Sequence, residues 1–346
     1  MQLLRPATRE TLPSYLSRLA ASKGVTTGDL AHDLGGSMKR FLQADEAAVD
    51  ALARWAQLFA TEVEEMLSWT GVPIGNIRLH FRGASVGSRA LRKPAVQGCP
   101  VCLREDAATN PAEPLSAMVM RGHWQMREVC VCLRHGRSLV TLWTEQELLR
   151  RLDFQFQLSA ILDSILSSEL DGAEIEPTPF DSWLDDRLLG RLDRTWLAPH
   201  GAAASAMFCR KFGEGMGGGT ASDDPIRKRH WAVAKGFTVV GIGPDEVRTY
   251  LLDLARGADT VADPVKTAHG GMIFALESHL RDDPGFDIFR DVLRDAVLDL
   301  WPVGAGDHGT REAAGALSAA FRNDRSRRTW HSGAPAEADA GRRWCP

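Results

Sequence analysis

The sequence has no long hydrophobic run, and this absence excludes a membrane-spanning protein. No apolar stretch approaches the roughly twenty residues that a helix needs to cross a bilayer. The N-terminus carries Arg5, Arg9 and Glu10 where a secretion signal would have a continuous apolar core. We therefore expect a cytoplasmic protein that does not associate with membranes.

Cysteine is also scarce. The 346 residues contain six cysteines, and four of them lie between positions 99 and 132. A small secreted domain held together by disulfides would have a higher density of cysteine. Cysteines clustered in a chain of this length favour a metal site in a reducing compartment. With 44% hydrophobic residues, the chain can bury cores in two or three small domains.

The chain has no overall excess of positive charge, since 41 Lys and Arg residues are set against 45 Asp and Glu residues and the formal net charge is −4. Its distribution is uneven, because ten basic and four acidic residues lie between Asn76 and Arg137, a local excess of six positive charges. A local positive potential can attract phosphates even when the whole chain is acidic. The same arginines are also compatible with an ordinary solvated surface, and the composition does not decide between these interpretations.

Two short Cys/His pairs form the clearest motif. Cys99-Pro100-Val101-Cys102 is followed thirty residues later by Cys132-Leu133-Arg134-His135. The two-residue gap lets both side chains of a pair reach one ion, and four such ligands complete the tetrahedral shell of a structural zinc. Four protein ligands leave no position for a catalytic water. Cys130 could replace Cys132 after a shift in register, so spacing alone leaves the third ligand open.

Hydrophobic periodicity predicts a mainly α fold that begins with a unit resembling a helix-turn-helix. Leucines at helical spacing predict a first helix over 12–22, and the threonines that follow can begin a second helix through Leu34. Ala20, Gly24 and Leu30 suit the small, turn and apolar positions of a helix-turn-helix. An ordinary helical hairpin would give the same pattern.

The composition and periodicity divide the chain into four predicted parts. The first is a helical domain at 1–75 that resembles a helix-turn-helix, and the second is a zinc-binding module with short strands at 76–140. A helical region at 141–304 and a disordered tail at 305–346 follow. Within them we expect a strand at 77–81, an amphipathic helix at 145–170, a glycine-rich linker at 213–224 and helices at 245–256, 270–281 and 286–301.

The segment Gly83-Ala84-Ser85-Val86-Gly87 matches the G-x-S-x-G pattern of a hydrolase nucleophile elbow. Its context argues against that function, because one strand precedes Ser85, Pro94 interrupts the helix that should follow, and the rest of the chain lacks alternating strands and helices. We interpret the segment as a flexible turn before the metal module. A serine hydrolase at Ser85 is the less favoured alternative.

Three stretches together resemble the TniQ family. They are Glu10 to Ala20, the run Cys99 to Asp106, and Trp124 followed by the second pair, which the resemblance places at Cys132 and His135. The resemblance extends over roughly 5–145. It implies a non-catalytic target-selection protein of bacterial transposons that combines helix-turn-helix and zinc-finger elements. Such proteins bind DNA or a DNA-bound targeting complex and recruit an AAA+ ATPase, which engages the transposase.

These observations predict a zinc-stabilised adaptor with a basic surface. We expect a structural zinc ion to be held by Cys99, Cys102, Cys132 and His135, and phosphates or a protein partner to be contacted by Arg104, Arg121, Arg134 and Arg137. Sequence specificity would come from the helix at 27–34 or from a partner complex. A homodimer is compatible with this arrangement. A protein-binding adaptor without direct DNA contact is the alternative.

Overall fold

The computed structural model describes residues 4–91, 93–217, 222–256 and 284–300. The fold is mainly α, as predicted. The α-helices of the described residues are α1 (Leu12–Lys23), α2 (Thr27–Asp33), α3 (Met38–Leu42), α4 (Glu46–Ala56), α5 (Ala60–Thr70), α6 (Ser88–Leu91), α7 (Pro100–Ala108), α8 (Pro114–Ala117), α9 (Leu148–Arg151), α10 (Phe154–Ala160), α11 (Leu162–Leu166), α12 (Pro179–Leu188), α13 (Ala202–Gly215), α14 (Pro225–Val240), α15 (Pro244–Arg256) and α16 (Asp287–Leu300). The predicted helix at 270–281 and the predicted tail at 305–346 lie outside the described residues.

Seven short strands complete the described elements. They are β1 (Val72–Pro73), β2 (Arg78–Phe81), β3 (Ala84–Gly87), β4 (Ala95–Gly98), β5 (Val131–Cys132), β6 (Arg137–Ser138) and β7 (Val140–Thr144), with 3₁₀ turns at Gly122–Gln125 and Pro284–Phe286. Strands β1, β2 and β3 form one antiparallel sheet, while β4 pairs with β7 and β5 with β6. Within the described ranges, no helix is both long enough and apolar enough to cross a bilayer.

Side-chain caps define the first two helices. The Thr11 hydroxyl accepts a hydrogen bond from the Ser14 N–H at the start of α1, and Gly24 ends that helix with φ of 67°. Thr26 begins α2 by accepting from the Asp29 N–H. These caps satisfy backbone groups that a helix end leaves without intrahelical partners. The two predicted N-terminal helices are therefore confirmed.

The G-x-S-x-G segment forms strand β3, which corrects its interpretation as a flexible turn. Strands β2 and β3 pair with Leu79 opposite Val86. The connection is made by Arg82 and Gly83, with φ values of 48° and 75°, as a two-residue hairpin turn requires. The Arg82 guanidinium lies over the Trp69 ring and donates to the Leu188 carbonyl, so the turn is fixed by its side chain.

The predicted single helix at 145–170 is wrong, because the structure divides this region into α9, α10 and α11. Glu147 accepts hydrogen bonds from the first backbone N–H groups of α9. Asp153 accepts from the Phe156 N–H and begins α10. Each carboxylate thus serves as an N-cap and interrupts a run whose apolar spacing suits one continuous helix.

Helices α13 and α14 cross through a backbone contact that glycine makes feasible. A Cβ atom at Gly213 would lie 1.8 Å from the Ala232 carbonyl oxygen, and one at Gly236 would lie 1.8 Å from the Cys209 carbonyl oxygen. The predicted glycine-rich linker at 213–224 begins at Gly213. Helix α13 instead continues to Gly215, so the start of that prediction is wrong.

Shared hydrogen bonds and cores cross the predicted domain boundaries, which stay predictions. The Thr11 N–H donates to the Met120 carbonyl, and the Met120 N–H donates to Ser14 Oγ. Trp69 and Leu79 share one hydrophobic cluster with residues of α12 and α13. The N-terminal helices, the small strands and the C-terminal helices therefore pack against one another.

Candidate metal centre

The first Cys/His pair is positioned by the start of α7. Cys99 follows β4 and is the N-cap residue of α7, with Pro100 in the first helical position. Proline suits this position because its fixed φ matches the helix and its missing N–H would have no intrahelical partner. The Leu103 N–H closes the first turn on the Cys99 carbonyl. This turn places Cys102 close to Cys99.

The second pair is positioned by the turn between β5 and β6. Cys132 ends β5, and its carbonyl oxygen accepts from the N–H groups of His135 and Gly136. Gly136 has φ of 58°, a backbone conformation that glycine adopts at little cost. The tight turn brings the His135 imidazole back over Cys132.

The structure brings the four predicted ligands together. Their ligand atoms all lie within 4.8 Å of one another. His135 Nδ1 lies 3.5 Å from Cys99 Sγ, 3.3 Å from Cys102 Sγ and 3.4 Å from Cys132 Sγ, and the Sγ atoms of Cys102 and Cys132 are 3.6 Å apart. A tetrahedral site with Zn–S bonds of about 2.3 Å and Zn–N bonds of about 2.0 Å needs separations of about 3.5–3.8 Å. The four residues could therefore hold a metal ion.

The charge state of the thiols also suits a metal. Hydrogen bonds from Cys102 and Cys99 lower the pKa of Cys132, and the hydrogen bond with Cys132 raises the pKa of Cys102. Among these closely packed sulfur atoms, Cys132 is therefore the thiol whose ionised form its neighbours favour. Thiolate and imidazole ligands of this kind favour soft or borderline divalent ions.

Glu105 lies behind the histidine ligand. Its Oε1 atom is 3.1 Å from His135 Nε2, within ion-pair distance but outside hydrogen-bond geometry. Its other oxygen is 2.9 Å from the Arg134 guanidinium. A carboxylate beside the outer nitrogen of a ligating histidine is a common way to orient the ring toward a metal.

Cys130 lies outside the cluster, which resolves the choice that spacing left open. Its side chain packs with Val131 and Ile226, and its sulfur is 3.9 Å from the Arg127 carbonyl oxygen. Burial raises the pKa of Cys130 to about 12, so it is a neutral thiol. Cys132 is the cysteine that joins the other three ligands.

Two of the predicted contact arginines are engaged inside the protein. Arg104 forms a bidentate ion pair with Asp171, with N–O distances of 2.9 and 2.8 Å. Arg121 forms a bidentate pair with Asp106 at 3.0 and 2.9 Å. Bidentate pairs fix the guanidinium plane, so these arginines have a structural use.

The other two contact arginines are more accessible. Arg134 has the most exposed side chain of the four, at 64%, and pairs with Glu105. Arg137 is 30% exposed, pairs with Glu174 and donates to the Gly172 carbonyl oxygen. Contact by these arginines with phosphate or a partner remains a prediction, for which Arg134 is the best placed.

The helix proposed to give sequence specificity, α2, is partly covered. Thr27 is buried, and its hydroxyl donates to Asp153 at 2.9 Å. The exposed residues of α2 include Asp29 and Asp33. Their negative charge opposes the approach of DNA phosphates.

A cleft beside the metal centre was not foreseen from the sequence. It has a volume of about 420 Å³, and its lining includes Arg9, His123, Cys132 and Asp185. Arg9 pairs with Asp185 at 2.5 and 3.0 Å across 176 sequence positions, so no local motif could reveal the pair. Burial lowers the pKa of His123 to about 3, which keeps its imidazole neutral at physiological pH.

Ser85 does not occupy a nucleophile elbow. It lies within β3, opposite His80 on β2. Its hydroxyl accepts a 2.6 Å hydrogen bond from Arg78 Nε, and a guanidinium cannot take up the hydroxyl proton. The geometry therefore gives no support to the serine hydrolase alternative.

Comparison with known proteins gives one family. The TniQ family model matches residues 2–139, a range that contains the N-terminal helices and all four candidate metal ligands. No curated protein and no solved structure gives a match. Residues 2–139 of this chain are therefore similar to the TniQ family.

Proposed function

We propose that this protein is a non-catalytic, zinc-stabilised adaptor that helps to select the target site of a transposon. The observation that carries the proposal is the four-ligand cluster inside a TniQ domain. The family implies a function related to transposition. In this proposal the chain joins the target DNA, or a complex already bound to it, to an AAA+ ATPase and the transposase.

Zinc is the proposed ion because its preferences agree with three sulfur ligands and one nitrogen ligand in a compact arrangement. The ion would join the start of α7 to the β5–β6 turn. A structural zinc supplies on the order of 10 kcal/mol of binding energy that is coupled to folding. Its role here is to hold these two segments, since four protein ligands leave no open position for substrate.

One observation supports direct contact with DNA, and one argues against it. Arg134 is exposed next to the metal centre, where a phosphate could compete with Glu105 for it. The exposed carboxylates of Asp29 and Asp33 on α2 oppose DNA. This second observation favours the alternative, in which the chain contacts only proteins and reaches DNA through a partner.

Metal analysis tests the centre. We expect one zinc per chain in the wild type and in Cys130→Ser, the matched control, because Cys130 is buried outside the cluster. Cys99→Ser and Cys132→Ser should each lose the ion, as measured by elemental analysis after gel filtration. One zinc retained in both of these variants would overturn the proposed ligand set.

A salt titration tests DNA contact. If Arg134 neutralises one phosphate, Arg134→Gln should lower the slope of log affinity against log salt by about 0.9. Arg40→Gln is the control, because Arg40 is a partly exposed arginine on α3 that pairs with Asp45. No binding to bare DNA, together with capture of the ATPase by the folded protein, would favour the protein-only adaptor.

A further inference from the structure

A small cavity at the junction of α1, α5, β4 and α9 has only positive charges in its wall. None of the four candidate metal ligands lines it, although it shares Arg121 and Trp124 with the cleft beside the metal centre, and its volume is about 50 Å³. The charged residues that line it are Lys93, Arg121 and Arg151, and no carboxylate of the described residues does so. Arg121 is neutralised from outside the cavity by Asp106, which leaves the other two cations to be explained.

Lys93 and Arg151 have no ion-pair partner within the described part of the chain. Arg151 is 9% exposed, and its guanidinium donates to the carbonyl oxygens of Glu145 and Gln146. Burial lowers the pKa of Arg151 and lowers the pKa of Lys93 to about 7. Arg151 is buried and Lys93 is half-buried, and a cation that is removed from water normally requires a counter-charge.

The charged groups that act on Lys93 do not provide a full counter-charge. They include Glu128 and Cys130, which favour the protonated amine, and Arg127 and Arg229, which oppose it. Glu128 itself is hydrogen-bonded to Arg210 at 3.0 Å, so its charge is shared with a second cation.

Two buried polar groups in the same wall also lack partners. Trp124 is 2% exposed, and its Nε1–H, which can only donate, has no acceptor. Gln97 is 7% exposed, and its Oε1 atom has no partner. Rotation of this amide by half a turn would present its nitrogen instead. Because buried polar groups are almost always hydrogen-bonded, both atoms indicate that the cavity holds a ligand or water.

We propose that this cavity binds a small oxyanion of the phosphate class. One water needs about 10–15 Å³ by the same measure of volume, so the cavity has room for several heavy atoms, as in inorganic phosphate. The anion would accept a hydrogen bond from Trp124 and provide the counter-charge for Lys93 and Arg151. Water could satisfy the indole but could neither balance the charge of Arg151 nor favour the protonated form of Lys93, as an anion would. This proposal does not depend on the function in transposition.

Calorimetric titration of inorganic phosphate into the full-length, metal-loaded protein tests the site. In a phosphate-free buffer we expect saturable binding at one site. Lys93→Met should weaken binding by at least about tenfold, the effect of losing one charge-assisted hydrogen bond. Lys39→Met is the matched control, because Lys39 is exposed on α3 and does not line the cavity. Its affinity should equal that of the wild type.

The proposal is overturned if the folded wild type gives no saturable signal, since the cavity would then hold only water. It is also overturned if Lys93→Met and Lys39→Met bind phosphate equally well. Near-ultraviolet circular dichroism of each variant verifies folding. Under the proposal, a short DNA duplex used as competitor identifies the source of the anion: displacement of phosphate assigns the site to a DNA phosphate, and lack of displacement assigns it to the free anion.

Discussion

The metal centre and the α13–α14 crossing hold the chain together by opposite means. At the metal centre, four side chains from the start of α7 and the β5–β6 turn surround one point. At the crossing, Gly213 and Gly236 have no side chains, and their backbones lie directly against the facing helix. The first arrangement depends on an ion that can be removed. The second depends on a volume that must stay empty, so the two regions should respond to different perturbations.

Metal removal should have the largest effect and should be confined to one of these regions. With a chelator, the loss of on the order of 10 kcal/mol of coupled binding energy should unfold the segment around α7 and the β5–β6 turn. Hydrogen exchange measured by mass spectrometry should show lost protection there, while peptides from α13 and α14 stay protected. Equal loss of protection in both regions would mean that they unfold as one unit.

A single methyl group should damage the helix crossing. Gly236→Ala should destabilise the protein by about 1–3 kcal/mol, because the new Cβ would overlap the Cys209 carbonyl. Gly28→Ala is the control, because a Cβ atom added at Gly28 would meet only Thr26 Oγ1, at the ordinary contact distance of 3.8 Å. That change should stabilise the protein by about 0.4–1 kcal/mol. Chemical denaturation measures both, and an unchanged stability of Gly236→Ala would contradict the close crossing.

Acid should have a smaller effect, and at a third place, the connection between α12 and α13 that contains Asp193. Burial alone would raise the pKa of Asp193, but hydrogen bonds from Arg187, Thr195 and Trp183 outweigh it and lower this pKa. The stability that the ionised carboxylate contributes is therefore present above about pH 4 and is lost as the pH falls further. Asp193→Asn should cost about 1–2 kcal/mol at neutral pH.

The same titration gives a contrast with the metal centre, where protons compete with the ion for the thiolates as the pH falls. The difference in unfolding free energy between Asp193→Asn and wild type should shrink as the pH falls below the ordinary aspartate pKa of about 4 and through the lowered pKa of Asp193. Denaturant titrations across this pH range measure it. A difference that does not depend on pH would show that the carboxylate charge has no role.

Local signals allowed the metal ligands and the first helices to be predicted. The spacing within each Cys/His pair fixes what one tight turn can bring together, and Thr11 and Thr26 act on N–H groups only three residues away. The choice between Cys130 and Cys132 needed the register of β5, which spacing does not define. The resemblance to TniQ had already favoured Cys132, and the geometry agrees.

Long-range pairing explains what could not be predicted. In the sequence, Arg104 and Arg121 look like free positive charges that could contact phosphate. Their ion-pair partners, Asp171 and Asp106, can be identified only in the folded structure. Gly213 suggested a linker because composition does not reveal a helix crossing. The carboxylates of Glu147 and Asp153 suit a helix surface as well as an N-cap, so the breaks in the region 145–170 were invisible to periodicity.

The chain passes beside the β5–β6 hairpin of the metal centre again after residue 139, where the match to the TniQ family model ends. Ser138 donates its N–H to the Ala173 carbonyl, and Ile175 donates to the Gly136 carbonyl, so Glu174 forms an isolated antiparallel bridge with Arg137 of β6. A protein shortened to its first 139 residues would lose these bonds and the Asp171 partner of Arg104. The segment defined by family similarity is therefore smaller than the set of residues that contact the β5–β6 turn, and the metal centre is hydrogen-bonded to the segment that leads into α12.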